Sequence, residues 1–67
     1  MSAGTIIRRL RGEKSLAAMA KDIGITKSSL AMYERDERTP RDETKVQIAN
    51  YFGIPVQAIF FNNGEHE

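Results

Sequence analysis

Apolar residues return every three or four positions along most of the chain, in short stripes separated by Gly, Ser, Thr and Pro. Ile6, Ile7 and Leu10 form the first stripe and predict a helix over about residues 5–13, with Arg8, Arg9 and Arg11 on its other faces and Gly12 weakening its end. Leu16, Met19, Ala20 and Ile23 follow at i, i+3, i+4 and i+7. Ser15 suits the N-cap of that second helix, and Gly24 stops it. Thr26 then caps a third helix over about residues 27–34, with Ile25 before the cap and Leu30 four residues inside, the spacing of a hydrophobic staple. The connection from Ile23 to Thr26 is so short that the two helices must cross steeply, as in a helix-turn-helix.

Beyond this pair, Pro40 closes a loop, and Asp42 and Glu43 suit the positive end of a fourth helix whose inward stripe is Ile48, Ala49 and Phe52. Gly53 ends it, and Pro55 fits the first position of a last short helix carrying Val56, Ile59 and Phe60. No alternating run with turn signals competes, so the expected class is all-α, five helices in one compact domain over residues 1–67. Residues 1–3 read as a frayed start, about 5–61 as the ordered part, and 62–67, NNGEHE, as a disordered polar tail.

Size and composition narrow what such a domain does. With 67 residues there is one small core, little volume for a substrate pocket and reason to expect help from a partner. There is no cysteine, one histidine and no phosphate-binding glycine loop, which argues against an enzyme and leaves no cofactor to expect. His66 between Glu65 and Glu67 lacks a second set of ligands, so no metal is expected either. Arginines occupy the place of a signal peptide's apolar stretch, and no apolar run reaches membrane-spanning length; the expected location is the cytoplasm, with no membrane partner.

The net charge of +1 conceals an asymmetry. Residues 1–41 carry nine Lys/Arg against five Asp/Glu, a balance of +4, whereas residues 42–67 carry one against four, a balance of −3. One basic face meeting a polyanion is the functional interpretation, and a solvated surface is the plain one. The same two interpretations stand for Lys27, Ser28 and Ser29 at the start of the third helix. Leu30 and Tyr33 point inward from that helix, while Lys27, Ser28, Ala31 and Met32 occupy its other face.

In their order and spacing, IRRLR, MAKDIGIT, SSLAMYE, Pro40 and IANYFGI followed by IFF resemble the helix-turn-helix family of phage Cro and CI repressors and Xre-type bacterial regulators. The resemblance covers about Ile6 to Phe60. It implies a lambda-repressor-like DNA-binding domain, bacterial or phage-encoded and nucleoid-associated when bound, acting on double-stranded DNA as a homodimeric transcriptional repressor. Lys27, Ser28 and Met32 then stand at the base-reading positions, where lysine donates to guanine, serine meets any base edge and methionine packs on a thymine methyl. Ser15, Leu16, Ser29, Arg35, Arg38, Thr39 and Arg41 stand at phosphate or auxiliary positions. Arg11 and Glu34 stand where the family places an internal ion pair. The dimer surface falls at Phe61, since only one of two adjacent phenylalanines can face the core. With no length for a second domain, the chain is closest in type to the small Cro-like or Xre-type regulators.

Three positions depart from the family pattern. Leu16 replaces a usual glutamine and cannot hydrogen-bond. Asp36 and Glu37 stand where glycine and a basic residue are common, and would repel phosphates if they faced DNA. Pro55 replaces a capping residue. Leu16, Asp36 and Glu37 are the best support for a different class of function, a protein-binding module of antitoxin-like or anti-repressor type that reads DNA weakly or not at all.

Overall fold

The computed structural model describes residues 1–60, and these form five helices: α1 (Ala3–Arg11), α2 (Leu16–Ile23), α3 (Lys27–Glu34), α4 (Asp42–Phe52) and α5 (Gln57–Phe60). No strand occurs among the described residues. α3 packs against both α1 and α2, α1 also meets α5, and α2 meets α4. Every helix contributes to one core of Ile7, Met19, Ala20, Leu30, Ile48, Ala49, Ile59 and Phe60, all nearly or fully closed to solvent. The helical spacing is what places these residues on one side of each element.

Local hydrogen bonds set most boundaries. The Ser15 hydroxyl accepts from the Ala18 amide at 3.0 Å and the Thr26 hydroxyl from the Ser29 amide at 3.0 Å, each satisfying a donor that the first helical turn leaves open. Gly24 adopts φ 92°, a left-handed conformation that costs glycine nothing, and its amide donates to the Ala20 carbonyl at 2.8 Å. The chain thereby leaves α2 and enters α3 within three residues. α4 has no side-chain cap at Arg41 and relies on Asp42 and Glu43 in its first turn.

Three expectations change. α1 starts at Ala3, earlier than its apolar stripe suggests, because the Ser2 hydroxyl accepts from the Thr5 amide at 3.1 Å; it also ends at Arg11, two residues sooner than expected. Leu10 lies on the solvent side at 41% exposure, and the buried positions of α1 are Gly4 and Ile7. α5 starts at Gln57, so Pro55 precedes the helix and its carbonyl accepts from the Ala58 amide at 3.0 Å. Phe61, the expected dimer residue, and the tail 62–67 lie outside the described residues.

Gly4 explains how closely α1 approaches α3. A side-chain carbon there would meet the Glu34 carbonyl oxygen and sit 2.6 Å from that of Tyr33. Only glycine leaves room for backbone against backbone at this crossing.

Candidate nucleic-acid interface

α3 is held from behind and open in front. Leu30 is fully buried, Ile25 packs against the core in the manner of a staple, and Tyr33 is half-buried. Lys27 and Ser28 are exposed at the other side of the first turn, and neither side chain has a hydrogen bond or ion pair among the described residues. Ser29 is half-buried, and the Thr26 hydroxyl donates to its hydroxyl at 3.0 Å. Ala31 and Met32, which helical spacing puts on the outer face, are half-buried, so Met32 presents less of its side chain than an outward position implies.

The far end of α3 is tied to α1. Arg11 donates from Nε to Glu34 Oε2 at 2.7 Å and from Nη2 to Glu34 Oε1 at 2.9 Å, while its Nη1 reaches the Lys14 carbonyl at 2.7 Å. The two side chains are 15% and 7% exposed, and the hydrogen bonds to Glu34 raise the Arg11 pKa. This forked geometry uses the guanidinium internally. Arg11 is thus engaged by protein on all three nitrogens.

The loop after α3 brings Arg35, Arg38, Thr39 and Arg41 to the surface around Pro40, which is buried and anchors the loop to the body. Arg38, Thr39 and Arg41 are exposed without side-chain partners among the described residues. Arg35 pairs with Glu37 through Nε–Oε2 and Nη2–Oε1 contacts of 3.0 Å each. Their hydrogen bonds raise the Arg35 pKa and lower that of Glu37.

Asp36 and Glu37 accordingly do not present two free carboxylates to solvent. Asp36 adopts φ 60°, tolerated by aspartate better than by most residues, and its carboxylate accepts the Gly4 amide at 3.0 Å. It caps the first turn of a helix remote in sequence. Glu37 neutralises Arg35. The contact between Asp36 and Gly4 carries no signal in either local segment.

Ser15 and Leu16 sit at the start of α2, where the Ser15 hydroxyl is already engaged as a cap and Leu16 is half-buried. Lys14 lies beside them but is committed elsewhere. Its Nζ meets Asp22 Oδ2 at 2.6 Å and stands 5.4 Å from the centre of the Tyr51 ring, while the Tyr51 hydroxyl donates to the same Asp22 oxygen at 3.1 Å. The hydrogen bond from Lys14 is the main reason the Asp22 pKa is lowered, and that to Asp22 the main reason the Lys14 pKa is raised. Among the described residues no cluster of side chains could hold a metal ion, and no helix is long and apolar enough to cross a membrane.

The arrangement offers hydroxyls, a free lysine and exposed arginines around the open side of one helix, which suits a polyanion with readable edges. Residues 7–59 match the family model described as Helix-turn-helix. Among curated proteins, the cryptic phage CTXphi transcriptional repressor RstR of Vibrio cholerae is 35% identical over 52 residues, which is 75% of this chain and 47% of that protein. The chain therefore spans about half the length of this relative. No solved structure matches it.

Proposed function

The chain belongs to the helix-turn-helix family of Cro/CI-like, Xre-type regulators, and from that premise we propose that it is a sequence-specific DNA-binding transcriptional regulator, acting as a repressor. A homodimer sets α3 of each subunit in the major groove of one half-site, and the half-sites lie about one helical turn, roughly 34 Å, apart. The observation that carries this reading is the state of the first turn of α3: Lys27 and Ser28 are exposed and unpartnered on a helix whose opposite face and far end are fixed. Unspent donors on a rigid support are what direct base readout requires. Ser28 and Lys27 read base edges, Met32 adds an apolar contact, and Arg35, Arg38, Thr39 and Arg41 set the register on the phosphates.

The Gly4 amide holds the Asp36 carboxylate against α1, and this intramolecular role for a residue that departs from the family pattern supports the regulator reading over the protein-binding alternative. The test is selection of bound duplexes from a random library at moderate salt, followed by sequencing. Enrichment of a near-palindromic site is the expected result and yields the half-site spacing. A folded protein that enriches no sequence would overturn the regulator reading in favour of a protein-binding module.

A further inference from the structure

α1, α2 and α3 border a hollow of about 240 Å³ lined by Arg8, Arg11, Leu16, Ala31, Glu34 and Arg35. Arg11 and Glu34 satisfy each other and form a fixed wall. Arg8 is exposed and takes no part in the hydrogen bonds and ion pairs of the described residues. Arg35 is bound only to Glu37, and both of those side chains are more than half exposed, at 57% and 54%, so the pair is readily exchanged. Leu16 and Ala31, half-buried, add apolar surface to the same lining.

We propose that this hollow binds a DNA backbone phosphate between Arg8 and Arg35, which makes α1 part of the interface. The inference rests on the DNA-binding reading above. Lys27, Ala31 and Arg35 follow one another at i, i+4 and i+8, so they lie along one side of α3 and its continuation. When Lys27 enters the major groove, that side faces the wall of the groove, and the wall is a phosphate strand. Arg35 exchanges its forked contact with the Glu37 carboxylate for the same geometry on phosphate oxygens, and Arg8 supplies a second guanidinium. Leu16 and Ala31 accommodate the carbons of the adjoining sugar. The apolar residue at position 16 then belongs to the site without having to hydrogen-bond.

Arg9 provides the control. It is exposed on the same helix and carries the same charge but does not line the hollow. The experiment titrates the full chain, R8Q and R9Q with several duplexes by fluorescence anisotropy between about 50 and 200 mM salt, with thermal melts establishing that all three fold alike. The expected result is that R8Q loses about tenfold in affinity for every duplex and lowers the salt slope by about one, whereas R9Q loses less than about threefold. Equal losses for R8Q and R9Q would overturn the site, because long-range charge alone would then account for both. Unchanged, salt-sensitive binding by R8Q would overturn the site and leave the regulator reading standing. Absence of salt-sensitive duplex binding by the unsubstituted protein would overturn both.

Discussion

The two ends of α3 are built oppositely. At its N-terminal end, Thr26 caps the helix by a bond to a residue three positions away, and Lys27 and Ser28 spend nothing on the rest of the molecule. At its C-terminal end, Glu34 is clamped by Arg11, the carbonyls of Tyr33 and Glu34 press on Gly4, and Asp36 returns to the Gly4 amide. Contacts that span 23 and 32 residues of sequence are thus gathered at one end and are missing from the other. A helix held so firmly at its base presents its tip in a defined orientation. This separates stability from recognition: changes at the base should be felt in folding, and changes at the tip in what is bound.

The largest expected effect is at the base. Arg11→Ala strands the Glu34 carboxylate at a site 7% exposed and should cost about 3 kcal/mol, measured as a fall in the denaturant midpoint at unchanged slope. A loss under about 1 kcal/mol would place this pair with solvated surface pairs and break the comparison. Gly4→Ala comes next, with an expected cost of about 2 kcal/mol, because the added carbon meets backbone oxygens that cannot rotate away. The same denaturation experiment checks it, and an unchanged midpoint would mean that α1 can slide along α3 freely. The smallest effect belongs to the tip. Lys27→Ala should leave the midpoint unmoved and reduce discrimination at a single base pair by about 1 kcal/mol, measured with duplexes altered one position at a time. An equal loss on every duplex would make Lys27 a phosphate contact instead of a reader.

The legible part of the fold was the local part. The cap at Ser15, the stop at Gly24, the cap at Thr26 and the bounds of α3 all follow from residues within four positions of one another, and α3 runs from Lys27 to Glu34 as its spacing predicts. The start of α1 was misplaced for the same reason in reverse. Ser2 caps it, but the apolar stripe begins only at Ile6, so the first helical turn has no apolar residue except Ala3 to announce it. Leu10 fits the helical period of Ile6 and Ile7 and still faces solvent, since periodicity gives the spacing of a face and not how far around the helix its neighbours reach. For the candidate interface, the family pattern identified which positions of α3 and the following loop to consider. It did not reveal that Met32 is half-buried or that Arg35 already has a partner.

By itself, then, the sequence determined the helical class, the order of the helices and the short turn that throws α3 outward, because capping, staple spacing and glycine stops act through bonds between near neighbours. Tertiary structure alone decided what Asp36 is for. A carboxylate that looks like a barrier to a polyanion becomes, on docking of α1 against α3, a cap for the Gly4 amide, whereas the pairing of Glu37 with Arg35 joins residues only two positions apart. The physical reason is distance along the chain: the energy of a buried or exposed charge depends on what packing brings within a few ångströms of it, and residue 4 reaches residue 36 only once the core has closed between them.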